Sequence, residues 1–204
     1  MSLPNNDFVA GLVLAAGGSS RLGRPKQTLP FRGTTLLGHV LDCARACGFD
    51  QLLVALGGSS DEVRARVDLS GAKVVDNPSY GDGCSSSIAA ALPALDPRCD
   101  VLVLLLGDQP GVGPTVVRTL LARHGEASIA VSRYEDGRGH PFAFRRSVFD
   151  ELGDLHGDKA VWKLLERRAA DVVEVQVPGR LPPDVDTWAD YEALVGVETA
   201  RSGV

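Results

Sequence analysis

Alternating strand-sized and helix-period segments predict an α/β chain. The expected architecture is a three-layer, Rossmann-like fold with a mainly parallel, mixed sheet. Three observations carry this reading. Short β-branched or leucine runs recur between segments with a helical apolar period. The most apolar run, VLVLLL at 101–106, is strand-sized and far short of the roughly 18 residues of a membrane-spanning helix. The 204 residues are 44% hydrophobic and 23% charged, enough for a full core and too ordinary for long disorder. No internal repeat or linker interrupts the chain. Residues 1–197 therefore read as a single domain and 198–204 as a flexible C-terminal tail.

The elements follow in order. A buried strand is predicted over 8–14, then a glycine-rich loop and an amphipathic helix over 35–47 closed by Gly48. A strand over 51–55 leads to a short helix over 60–67, opened by Ser60 and Asp61. Another strand lies at 72–75, a loop at 76–83, and a helix at 85–95. The strongest strand is 100–106, and Pro114 opens a helix at the first position, which proline prefers. Later strands are expected at 128–132, 141–144 and 172–177, with helices at 158–169 and 188–195. In such sheets ligands sit beyond the carboxyl ends of the strands, which singles out the loops after Leu14, Val75 and Leu106.

Composition removes several function classes. A net charge of −5 without a basic cluster excludes sequence-independent nucleic-acid binding, since phosphates need grouped Lys and Arg. No apolar run suits a membrane. The apolar stretch 8–17 is preceded by Asp7, has no Lys or Arg before it and contains glycine, unlike a secretory signal. Cys43, Cys47, Cys84 and Cys99 lack zinc-site spacing and read as packing residues in a reducing compartment, so the expected location is cytoplasmic. The 23 glycines belong to turns, helix ends and places where backbone approaches a ligand.

The first loop carries the clearest chemistry. It reads LAAGGSSRLGRPK over 14–26, and its glycines free backbone N–H groups to face an anion while Arg21 and Lys26 add positive charge. That combination suits a triphosphate. Gly18 and Gly23 have the Walker A separation, but Arg24-Pro25 follows where Lys-Ser/Thr is required. The dinucleotide fingerprint G-x-G-x-x-G is also absent.

Leu-Ala-Ala-Gly-x-x-x-Arg-Leu-Gly-x-Pro-Lys followed by Leu29-Pro30 resembles the opening of the MobA-like nucleotidyltransferases. The resemblance is nearest to their molybdenum cofactor cytidylyltransferase branch. It spans about 9–194 and implies the three-layer nucleotidyltransferase fold. It also implies that Leu14, Ala15, Ala16, Gly17, Gly18, Arg21 and Lys26 bind the nucleotide. The Leu-Ala-Ala-Gly form resembles the CTP-using branch rather than the guanylyltransferases.

Further motifs extend the resemblance. Gly107-Asp108-Gln109-Pro110 ends the strongest strand and is similar to the family's metal motif. Asp184-Val185-Asp186-Thr187 resembles its second acidic motif, and alternation points Asp184 and Asp186 to one side while Thr187 caps the last helix. The resemblance implies Mg²⁺ on Asp108 and Asp186, a cation that takes one or two carboxylates plus phosphate oxygens. It makes Arg21, Lys26 and Asp108 the catalytic set. Asn77 to Ser87 resembles the family's Asn-Pro loop, assigning Ser86 and Ser87 to the nucleotide; serine N-capping is the alternative. Cys84 stands where Met is usual and has no activating base nearby in sequence.

Gly139-His140-Pro141 and Gly157-Asp158 resemble acceptor-side segments, so His140 and Asp158 are acceptor-binding candidates, with a packed structural histidine as the alternative for His140. Ala160-Val161-Trp162 replaces the family's Gly-Ala-Arg, which leaves the acceptor's identity open. The implied partners are CTP or another NTP, a molybdopterin-type acceptor and a transient molybdoenzyme contact. The alternatives are a sugar-phosphate or GTP-using nucleotidyltransferase, an NAD(P)- or flavin-dependent oxidoreductase, and a non-catalytic accessory protein.

Overall fold

The computed structural model describes residues 7–202, with side chains to residue 196. Its centre is built from the unbroken apolar runs. β1 (Phe8–Ala15) is buried from Val9 onward and lies parallel to both β4 (Gln51–Leu56) and β6 (Cys99–Leu106). Strands covered on both faces are apolar at nearly every position, as these are. β5 (Lys73–Asp76) lies parallel outside β4. On the other side the sheet continues with β8 (Gly137–Arg145), antiparallel to β6, then β7 (Ile129–Tyr134), antiparallel to β8, and β9 (Val172–Gln176), parallel to β7. The seven-stranded order is β5-β4-β1-β6-β8-β7-β9.

Alternate strand residues feed two separate cores. Val9 and Val13 join Leu37, Leu41 and Leu120 on the face covered by α1 (Leu36–Arg45), α2 (Ser60–Arg66) and α4 (Pro114–His124). Ala10, Leu12 and Leu14 join Ile88, Leu152 and Leu164 on the opposite face. That face is covered by α3 (Cys84–Ala91), α5 (Phe149–Gly153) and α6 (Ala160–Arg167). The period-2 alternation of side chains makes the three layers.

Local signals set the element ends. Thr35 Oγ1 accepts the Gly38 N–H at 3.0 Å and opens α1, and Gly48 closes it with φ +78°. Pro114 occupies the first turn of α4. The helix expected over 85–95 is shorter: α3 ends at Ala91 and a 3₁₀ turn, Leu92–Ala94, follows. Pro93 lacks the N–H and crowds the preceding turn. β8 begins at Gly137, so 137–140 is strand rather than turn. The sequence reading lacks α5 and the small antiparallel ribbon of β2 (Pro30–Phe31) and β3 (Thr34–Thr35). That ribbon turns through Arg32 (φ +47°) and Gly33 (φ +79°), the paired positive φ values of a tight hairpin. α7 (Trp188–Ser202) closes the chain and enters the segment read as a tail; residues 203–204 lie outside the described residues.

Candidate active site at the carboxyl ends of β1 and β6

A cavity of about 620 Å³ opens where β1 and β6 end. Leu14, Ala15, Ala16, Gly17 and Gly18 form one wall. The loop is held from below by Gln27, a buried side chain whose Nε2 donates to Ala15 O (2.7 Å) and Gly17 O (3.1 Å). Ser19, at φ +51°, accepts the Lys26 N–H through Oγ at 3.0 Å. Lys26 thus starts from an anchored backbone, reinforced by a 3₁₀ turn over Lys26–Thr28.

The second wall brings distant carboxylates to that lysine. Asp108 follows β6 after Gly107, whose N–H donates to Leu14 O at 2.9 Å. A side chain at Gly107 would meet Ala15 Cβ at 2.9 Å, so the approach of the two strand ends requires glycine. Val185 N–H donates to Asp108 O at 3.1 Å, tying the second acidic motif to the first. Val185 is buried with Leu22, Leu29, Phe31 and Leu36. Asp184 and Asp186 on either side of it both line the cavity, as strand-like alternation dictates. Thr187 caps α7: its Oγ1 accepts the Asp190 N–H (3.2 Å), and Asp190 Oδ2 accepts the Thr187 N–H (2.7 Å).

Lys26 Nζ stands between the two acids, donating to Asp108 Oδ2 and to Asp186 Oδ1, the latter at 2.9 Å. Arg21 Nη1 donates to Asp186 Oδ2 at 3.3 Å. The Lys26–Asp108 pair is the protected one, with side-chain exposures of 11% and 17%, against 68% for Arg21. Burial alone would lower the Lys26 ammonium, but Asp108 and Asp186 outweigh it and hold its pKa above the ordinary value. Burial pushes the Asp108 carboxyl up while Lys26 opposes that rise. Asp186 is held below its ordinary value, first by the Lys26 hydrogen bond and further by the Arg21 charge.

The third wall comes from the Asn77–Ser87 segment. Ser87 lines the cavity and accepts from Asn77 Nδ2 at 3.0 Å. Ser86 does not line it; its hydroxyl accepts from Asn77 Nδ2 at 2.9 Å and donates to Gly83 O at 2.7 Å, bracing the start of α3. Asp158 lines the cavity, and its Oδ1 accepts the Cys84 N–H at 3.1 Å, capping α3 from a remote loop. Burial and the carboxylates of Asp158 and Asp108 push the Cys84 thiol up to about 11, so it stays protonated and unreactive. Tyr80 fills the aromatic position of the Asn-Pro loop but received no role from the sequence; its ring lies over Gly57 and Gly58 and reaches Gly18. A Cβ at Gly58 would fall 2.3 Å from the Tyr80 hydroxyl. The Gly57-Gly58 pair after β4 was the available signal.

His140 lies near the start of β8 and does not line the cavity. Its ring packs 4.1 Å from that of Phe142, and burial lowers its pKa to about 4. It is therefore neutral at neutral pH and offers hydrogen bonding without charge. Phe142 in turn meets Trp162 edge-to-face at 5.2 Å, and the Arg138 guanidinium lies 6.0 Å from the Trp162 ring.

Among the described residues no group of three or more His, Cys, Asp or Glu side chains forms a complete metal shell. Two converging carboxylates beside an anion loop nevertheless fit Mg²⁺, which takes few protein ligands and completes its shell with phosphate oxygens and water. All four cysteines carry free thiols, and no described helix is long and apolar enough to cross a membrane.

Comparison with known proteins places this geometry. Residues 11–172 match the MobA-like NTP transferase domain. Nicotine blue oxidoreductase of Paenarthrobacter nicotinovorans is 36% identical over 141 residues, covering 65% of this chain and 69% of that protein. Bifunctional protein GlmU of Halorhodospira halophila is 35% identical over 165 residues; the match covers 80% of this chain but only 32% of GlmU. Rv0371c of Mycobacterium tuberculosis, a solved structure, is 49% identical with a TM-score of 0.88, covering 94% of this chain and 100% of that one. The same protein has been solved in complex with manganese (46% identity, TM-score 0.82, 93% and 98% covered). The family match covers more than half of the chain and the solved relatives share its fold, and the chain belongs to the MobA-like family as a nucleotidyltransferase.

Proposed function

We propose that this protein transfers CMP from CTP to the terminal phosphate of a molybdopterin-type acceptor, releasing pyrophosphate. The observation that carries the reading is the Lys26 ammonium held between Asp108 and Asp186 at the mouth of the glycine loop. A triphosphate lying along Ala16–Gly18 would meet backbone N–H groups, Arg21 and Lys26. An acceptor phosphate oxygen attacks the α-phosphorus, the bond from that phosphorus to the bridging oxygen breaks, and pyrophosphate leaves with the electron pair. Arg21 and Lys26 stabilise the charge that grows on the leaving group. The nucleophile arrives already anionic, so positioning replaces a general base, and a neutral His140 is consistent with that. Mg²⁺, held by Asp108 and Asp186, would neutralise and orient phosphate oxygens. CTP is favoured by the Leu14-Ala15-Ala16-Gly17 form of the loop. The free thiols agree with a cytoplasmic setting.

The oxidoreductase relative supplies a second reading, reduction or oxidation of a small molecule with a nicotinamide or flavin. The first loop lacks the dinucleotide fingerprint, which counts against it. One experiment separates the two: incubation with Mg²⁺, molybdopterin and each α-labelled nucleotide, scoring label transfer and pyrophosphate. Transfer from CTP alone is expected. Transfer from GTP would change the base and keep the chemistry. Absence of transfer from every nucleotide, together with thermal stabilisation by NAD(P)H but not CTP, would overturn the proposal.

A further inference from the structure

The ammonium of Lys26 occupies the place between the two carboxylates that would ligate a divalent cation. Both Asp186 oxygens are engaged, Oδ1 by Lys26 at 2.9 Å and Oδ2 by Arg21 at 3.3 Å, and Asp108 Oδ2 is taken by Lys26. A dication therefore cannot use these oxygens without displacing a cationic side chain. The lysine is built to be displaced. Its backbone is anchored by the Ser19 hydroxyl and by the 3₁₀ turn, while its aliphatic stem passes Gly17, whose Cβ position lies 3.7 Å from Lys26 Cε. The same tether thus reaches the anion loop by rotation of its terminal bonds, with no movement of the main chain. Glycine at 17 leaves room beside that stem.

We infer that Lys26 is a resident counter-ion for the Asp108–Asp186 pair, exchanged for a divalent cation when nucleotide phosphates draw the ammonium into the Gly17–Gly18 loop. The inference rests on the metal assignment made under the proposed function. It makes nucleotide and cation binding cooperative: each removes the obstacle to the other. Linkage requires the coupling to be reciprocal, so the factor by which nucleotide tightens the cation equals the factor by which the cation tightens nucleotide. Before nucleotide arrives, the sheltered Asp108 and the more exposed Asp186 share one ammonium rather than facing one another uncompensated.

Mn²⁺ binding followed by electron paramagnetic resonance tests this without turnover. For the wild-type chain, addition of α,β-methylene-CTP is expected to tighten Mn²⁺ about tenfold, within the usual range of coupling between sites. For Lys26→Met and Lys26→Gln, Mn²⁺ alone should bind about tenfold tighter than to the wild type, and the nucleotide effect should shrink toward unity. The two variants differ in polarity, and thermal melts establish that at least one is folded. Equal or weaker Mn²⁺ binding by a folded variant, without nucleotide, overturns the counter-ion role. If the wild type binds no Mn²⁺ even with nucleotide present, the metal assignment itself fails, and with it this inference.

Discussion

The two halves of the sheet handle a ligand in different ways. The parallel half, β5-β4-β1-β6, presents strand ends whose loops are rich in glycine, and it offers backbone to the cavity. The mixed half, β8-β7-β9, in which β8 alone runs antiparallel, presents side chains: His140 against Phe142, Phe142 against Trp162, Arg138 over Trp162. By the resemblance, the first half carries the family's loop and acidic motifs, whereas in the second Ala160-Val161-Trp162 stands where Gly-Ala-Arg is expected. Backbone recognition tolerates little change because glycine has no substitute where strands touch. A side-chain surface can be altered piecemeal, and that is where substrate choice can diverge on a shared fold.

The largest effect expected lies in the parallel half. Asp108→Asn keeps the shape of the side chain but removes the charge, and label transfer should fall by about 10²–10³-fold with the melting curve preserved. Near-normal transfer would break the assignment of chemistry to the β1–β6 ends. A paired glycine test comes next. A Cβ at Gly57 would sit 2.3 Å from Ala16 O and 2.9 Å from Tyr80 Cγ, while one at Gly137 meets nothing within 4 Å. Gly57→Ala should therefore cost about 1–3 kcal/mol in denaturant titration, and Gly137→Ala about 0.5 kcal/mol or less.

Acid sensitivity should belong to the mixed half. His124 on α4 and His140 on β8 are both lowered by burial to about 4. Their unfolded value is about 6.5. Between those values the unfolded chain binds protons that the folded chain refuses, so stability rises with pH there. It should be full above about pH 6.5 and fall progressively toward pH 4. Melting temperature against pH should flatten in this window for His124→Gln, and an unchanged slope would remove that residue from the account. At the end of the site, Thr187→Ala removes the cap of α7 and should cost about 1 kcal/mol, or about 2–4 °C in Tm for a chain of this size.

Legibility in the sequence followed the distance between interacting groups. The strand runs, the Thr187 cap and the Pro114 start were readable because each depends on a few neighbouring residues. The glycine loop and the two acidic motifs were readable as family pattern, and they converge on the cavity wall. Ser86 and His140 were assigned to ligands from the same kind of pattern, yet neither lines the cavity. Their partners, Asn77 and Phe142, engage them instead. Gln27 carried no motif and Tyr80 only a motif position without a role, since their roles exist only against Ala15, Gly17 and the Gly57-Gly58 backbone.

By itself the sequence determined the principal strands and helices, and which loops have the chemistry for phosphate and a hard cation. Hydrophobic period and turn chemistry are local properties of the chain, and they survive without knowledge of the neighbours. Only the tertiary structure decided that β8 runs antiparallel beside β6, that Val185 is buried against the first loop, and that one ammonium links two acids. Lys26 is separated from Asp108 by 82 positions and from Asp186 by 160. No local pattern encodes such meetings. They arise when both faces of the sheet and the small cluster around Val185 are buried together, which brings the loops to one edge.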